Sequence, residues 1–165
     1  MATPTNLPAT AVAGDILTAA YVNNLRGAFR VLQVVAGSTN TQTGKSNSTY
    51  GTTTLSAAIA PQSTSNKVLV MFTHVCSTDT SGGTLGIRLV QRIGASDTVI
   101  QTWTYALSST TGGLYGSFAQ NVLVSPASTA SVTFFTEMAL TGGGGNAYTQ
   151  TGSTFSNIVL AEISA

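Results

Sequence analysis

Beyond residue 30 the chain is written in period two. Eight runs, 31–36, 52–59, 67–76, 84–93, 98–107, 114–124, 131–140 and 154–163, are rich in β-branched and aromatic residues and bounded by clusters of Gly, Ser, Asn and Pro. Successive side chains of a strand point to opposite faces, so such alternation commits one face of each run to a core. No helical stretch separates the runs, and their spacing is regular. The fold class that follows is all-β, an antiparallel, jelly-roll-like β-sandwich of about eight strands spanning 31–165. In the fifth run Val99, Trp103, Tyr105 and Leu107 share the expected core face, and in the seventh Val132, Phe134, Met138 and Leu140 do so. The third run, Val68-Leu69-Val70-Met71-Phe72, and Ile158-Val159-Leu160 in the last are apolar on both faces. Their outer faces are expected to meet another subunit, which predicts a homo-oligomer.

Residues 1–30 follow a different rule. Met1 to Gly14 carries Pro4 and Pro8 in a Thr/Ala-rich tract without apolar period, and reads as an extended arm. Leu17, Tyr21, Leu25, Ala28, Phe29 and Leu32 then recur at helical spacing, and Thr18 is a credible N-cap. This predicts a helix of about three turns over Ala19–Arg30. A helix so short is marginal in water on its own, so Leu17, Tyr21, Leu25 and Phe29 are expected to pack on the chain's own sandwich or on symmetry copies. Arg26 and Arg30, one turn apart, are candidates for contact with a neighbouring protein, although a solvated helix face is their default use. The chain is thus divided into an arm with an anchoring helix, 1–30, and a sandwich, 31–165.

Composition narrows the function. Only 7% of residues are charged, against about 25% in ordinary soluble proteins, while Ser and Thr exceed a quarter of the chain. Hydroxyls keep the surface wet. Six Lys and Arg against five acids leave a net charge of +1 and form no run, so no nucleic-acid partner is expected. Low net charge also favours association between copies. The single Cys76 excludes an internal disulfide, and no Cys/His grouping suggests a metal. The longest apolar run, Val68 to Cys76, is far short of the roughly 20 residues that cross a bilayer, so no membrane insertion is expected. The first fourteen residues lack the basic and apolar regions of a signal peptide.

Motifs of chemistry are few. Gly37 and Gly44-Lys45-Ser46 follow a strand, but a phosphate loop needs a glycine where Thr39 stands and a helix after the lysine. His74 and Cys76 share a strand face and resemble a thiolate–imidazole pair, yet both lie in the most apolar run, where a free Cys behaves as a small hydrophobe. Asp15, Asp79, Asp97, Glu137 and Glu162 are widely scattered. Glycoside hydrolysis needs two carboxylates facing one sugar; Glu137 and Glu162 could meet, but pairing with Arg88 or Arg92 across a sheet is the expected use. Asn47-Ser48-Thr49 and Gly142 to Gly145 read as polar loops. The chain is therefore expected to be no enzyme and to hold no cofactor.

Gly14-Asp15-x-Leu17-Thr18-Ala19-Ala20-x-x-Asn23 resembles a segment near the N-termini of phage tail-fibre and related virion proteins. Tyr50 to Val70, with Pro61, Ser63 and Asn66-Lys67-Val68-Leu69-Val70, is similar to the opening strands of small sandwich modules in phage and cyanophage fibres. Thr154-Phe155-Ser156-x-Ile158-x-Leu160 resembles the last strand of trimeric jelly rolls of the tumour-necrosis-factor-like kind. Together these touch about a quarter of the chain. The resemblance implies a virion structural protein, assembled in a host cytoplasm and trimeric. Its N-terminal segment would dock on other virion proteins. Two places on the particle stay open: a tail-fibre or receptor-binding component attaching to the host surface, with a host surface glycan as its candidate partner, and a capsid decoration or head-fibre protein.

If successive strands run antiparallel, the loops 37–51, 77–83, 108–113 and 141–153 gather at one end, and the short connections 60–66, 94–97 and 125–130 at the other. The helix enters at the second end. The first collects Tyr50, Asp79, Tyr115, Asn146 and Tyr148, and tyrosine among small polar residues suits adaptable recognition. These five are the candidate binding residues.

Overall fold

The computed structural model describes residues 30–80, 82–106 and 114–165. Ten strands make up the fold: β1 (Val31–Thr39), β2 (Thr43–Lys45), β3 (Gly51–Ile59), β4 (Lys67–Thr78), β5 (Thr84–Ile93), β6 (Ser96–Ala106), β7 (Leu114–Val124), β8 (Val132–Gly142), β9 (Ala147–Thr149) and β10 (Ser156–Ile163). The eight long ones coincide with the eight alternating runs to within a few residues. β2 and β9, of three residues each, carry no such pattern and were not expected from the sequence. They pair with each other and extend the sheet beside the end of β4. A 3₁₀ turn, Thr151–Ser153, leads from β9 to β10.

All pairings are antiparallel and build two sheets. One runs β1-β10-β4-β7, with β9 and β2 appended to β4; the other runs β3-β8-β5-β6. Counting only the long strands in chain order, the sheets read 1-8-3-6 and 2-7-4-5. That is the strand order of a jelly roll, as if one long hairpin with its bend at β5–β6 had been wrapped over itself. First and last strands pair because the hairpin's open ends meet.

Alternation places the core. Val68, Val70, Phe72, His74 and Cys76 of β4 and Ile158 and Leu160 of β10 face Leu85, Ile87 and Leu89 of β5 and Val132, Phe134, Met138 and Leu140 of β8, all buried. The β8 face is as expected. On β6 the expectation fails at one residue: the register slips opposite Leu89/Val90, so Val99 pairs with Val90 on the outer surface and is 46% exposed. A bulge inserts one residue and reverses the faces beyond it. Trp103 and Tyr105 keep their inward side and pack against Phe118, the first edge-on at a ring distance of 6.0 Å and the second tilted at 5.6 Å. Leu107 lies outside the described residues, as do the arm and the anchoring helix expected over Ala19–Arg30, except Arg30 itself.

The first and last described residues share one end of the sandwich, here called the base. Arg30 N–H donates to Ser164 Oγ, Ser164 N–H to Arg30 O, and Ala165 N–H to Asn66 Oδ1. The connections 40–50, 79–83 and 143–155 meet at the opposite end, here called the tip. There Leu140 N–H reaches Asn47 O, Asp79 N–H reaches Asn146 O, and Gln150 N–H reaches Val75 O. Residues 107–113, between β6 and β7, are outside the described residues.

Candidate functional site at the tip

The tip cleft starts from β4. Ser77 pairs with Tyr115 of β7 on one side and Tyr148 of β9 on the other, so all three side chains fall on one face of the sheet. Two strand spacings separate the tyrosine backbones, about 10 Å. Beyond Tyr148 the next partner is Gly44 of β2, where a Cβ would run into the Tyr148 ring. Glycine there lets the ring lie over the strand. An open cleft of about 390 Å³ results, lined by Gln42, Ser77, Thr78, Asp79, Tyr115, Tyr148 and Thr151. Tyr115 is 65% exposed, and Ser77 Oγ and Thr151 Oγ1 form a 2.6 Å hydrogen bond in the floor.

Asp79 clamps the cleft's edge. Its Oδ1 accepts from Asn146 N–H at 2.5 Å and its Oδ2 from Asn146 Nδ2–H at 2.6 Å, with the Tyr148 hydroxyl at 3.5 Å. The Asn146 backbone bond, then its side-chain bond, hold the carboxyl below the usual carboxylate range. Next to it Thr80 Oγ1 donates to Gly144 O. Gly145 has φ +79° and leaves room for the Asp79 carboxylate. The carboxylate thus acts first as a clasp between two loops, keeping Tyr148 in place.

Four of the five candidate binding residues, Asp79, Tyr115, Asn146 and Tyr148, therefore come together. Tyr50 does not: its ring lies under the Arg88 guanidinium, 4.4 Å from Cζ to centroid, and its hydroxyl sits against Gly86 on the outer face of the other sheet. Being next to β3 in sequence placed it at the tip, but the pleat turns it away from the cleft. Gln42, Ser77, Thr78 and Thr151 were missed. The period-two rule applied to β4 would have offered Ser77; Gln42 and Thr151 depend on β2 and β9, which have no pattern to read. Of the candidate docking residues, Arg30 is exposed at the base, and Leu17, Tyr21, Leu25, Arg26 and Phe29 lie outside the described residues.

The other candidate groups lie apart from the cleft. Glu137 pairs with Arg88 at 2.5 Å on the outer face of its sheet, as expected, while Arg92 pairs with Asp97. Glu162 points the other way, into the sandwich, and meets no arginine. It is buried and accepts from Gln33 Nε2, Gln62 N and Asn66 Nδ2 at 2.6–2.7 Å. The two glutamates face different surfaces and cannot flank one substrate. His74 and Cys76 are both buried; burial pulls the imidazole down to about 4 and pushes the thiol up to about 12. Such a pair stays neutral, without a thiolate to attack. Among the described residues no group of three His, Cys, Asp or Glu comes together to hold a metal, and no helix is long and apolar enough to cross a membrane.

No protein-family model matches the chain, and no curated protein resembles it in sequence. Among solved structures, infectious bursal disease virus of the Gx strain aligns at TM-score 0.49 and 17% identity, over 82% of this chain and 33% of that one. The VP2 subviral particle of infectious bursal disease virus gives 0.49 and 17%, over 81% and 34%. Dimeric latent PorU of Porphyromonas gingivalis gives 0.42 and 10%, over 83% and 13%. The chain spans about a third or less of the length of these structures.

Proposed function

We propose that the chain is a non-enzymatic virion structural protein, a tail-fibre or receptor-binding component that holds the host surface through the tip cleft. One observation carries this reading: the domain is polar, with Arg30 and Ser164 bonded together at the base and the tyrosine-walled cleft at the far end. A module docked through the segment that enters at Arg30 presents the opposite end outward. The resemblance of residues 14–23 to fibre N-termini supports the same orientation.

The cleft's chemistry favours a sugar. Two tyrosine rings offer apolar faces to the C–H side of a pyranose, and Gln42, Ser77, Thr78 and Thr151 offer hydroxyl and amide partners to its hydroxyls. No cation in the lining invites an anion. Copies associate, as a trimer, along the side where edge strands β6 and β7 leave Trp103 and Tyr105 only half-buried.

The test is Tyr115→Ser in the assembled particle. Adsorption to host cells should fall at least about tenfold, one polar-for-aromatic exchange at a binding centre being worth about 1.4 kcal/mol or more, with particle yield unchanged. Unchanged adsorption together with fragile heads would replace this reading by capsid decoration.

A further inference from the structure

The two outer surfaces of the sandwich differ in kind. That of the β3-β8-β5-β6 sheet carries Arg88, Arg92, Asp97 and Glu137 in ion pairs, as a solvated face does. On the β1-β10-β4-β7 sheet, register aligns Val34, Ala161, Leu69 and Leu123 in one row, and Ala36, Val159, Met71 and Asn121 in the next. Val34 is 61% and Leu123 55% exposed. Among the described residues of these four strands the only charge turned outward is Lys67, at the start of β4, paired with Ile163; Asp79, just past the end of β4, is held at the tip by Asn146. The bare area is four strands wide, about 15 Å between the outer strand axes, and the two rows lie about 7 Å apart. That is a few hundred Å², below the roughly 800 Å² per partner that a stable protein interface needs.

It does match one short helix, which is about 18 Å long for twelve residues and about 10 Å across. The chain has such a segment to hand. Twenty-nine residues precede the first described one, Arg30, and they end at β1, the edge strand of this very face, two residues before exposed Val31. The apolar stripe Leu17, Tyr21, Leu25, Phe29 is complementary to an apolar face. We propose that residues 17–29 fold back across Val34, Leu69, Met71, Val159 and Leu123 of their own copy, so that the helix is a third layer of the domain. The extended arm before it, residues 1–14, is then what remains to reach another protein. This inference stands independently of the glycan reading.

Cross-linking of the full chain tests it. Cys76 is buried, so Leu25→Cys with Leu123→Cys supplies the two reactive thiols for a short flexible bis-maleimide. The expected product is a monomer closed on itself, shown by denaturing electrophoresis and a linked peptide. Linked dimers or trimers would mean that the segment is exchanged between copies, and no link would mean that it lies elsewhere; either overturns the proposal. A second measurement needs no cysteines. Amide exchange in residues 17–29 should be slowed at least tenfold relative to a free peptide of that sequence, and Val34→Glu, at a position more than half exposed, should abolish the slowing while β4 and β8 stay protected. Protection that survives Val34→Glu overturns it as well.

Discussion

Thr136 Oγ1 lies 2.8 Å from His74 Nε2 in the middle of the sandwich, joining β8 of one sheet to β4 of the other. The bond is part of a chain. Thr53 and Thr136 hydroxyls are 2.7 Å apart, and with its amide turned to satisfy both ends Gln150 accepts from His74 Nδ1–H at 3.0 Å and donates to Thr149 Oγ1 and Thr41 O. With the amide so turned, His74 donates from Nδ1, and the neutral ring then accepts at Nε2 from the Thr136 hydroxyl.

Acid should therefore loosen this core. Burial lowers the folded-state pKa of His74 from 6.5 to about 4, so between those values the unfolded chain binds the proton more tightly. Stability is fully present above about pH 6.5, falls as pH drops, and by pH 4 has lost most of about 3 kcal/mol. Urea denaturation from pH 7.5 to 4 should show this slope, and His74→Gln should flatten it; the same slope in the variant would assign it elsewhere.

Glu162 and Glu137 should respond differently to the same substitution. Glu162→Gln puts an amide donor among three donors in a buried place and should cost about 2–4 kcal/mol. Glu137→Gln breaks an ion pair whose side chains are 14–29% exposed and should cost less than about 1 kcal/mol. Thermal unfolding measures both. Neither the wild type nor the variants are expected to release reducing sugar from envelope polysaccharide; release abolished by either change would make the chain an enzyme.

Gly145→Ala should damage the tip and spare the core. Its φ of +79° is unfavourable for alanine, and the new Cβ would run into Asp79 Oδ1 and Thr80. A loss of about 1–3 kcal/mol is expected, with faster amide exchange at Asn146 to Tyr148 than in β8. Uniform acceleration throughout the sandwich would contradict a local clasp.

The oligomer should be visible in mass. Native mass measurement at micromolar concentration should report three copies, and Val99→Asp, which charges the exposed side of edge strand β6, should weaken the assembly. A monodisperse wild-type monomer would refute self-association; another symmetric number would refute only the trimer.

Strand existence, parity and the core were legible because period two is a local property: Val132, Phe134, Met138 and Leu140 announce one buried face without knowing their partners. With eight such runs alternating in direction, even the two ends of the sandwich followed. What alternation cannot encode is which strands neighbour one another. The jelly-roll order brought Tyr115, Ser77 and Tyr148 from three distant segments into one row, and the same order left Tyr50 on the opposite sheet. The bulge that turned Val99 outward adds one residue whose effect appears only against the partner strand. Glu162, on a strand expected to show a carboxylate to an arginine, instead meets Gln33, Gln62 and Asn66, because β1 and the β3–β4 connection close over it. Local patterning determined that this chain forms a two-faced sandwich; long-range pairing, which fixes the register between strands up to 132 residues apart, decided where its tyrosines, its acids and its apolar outer face would lie.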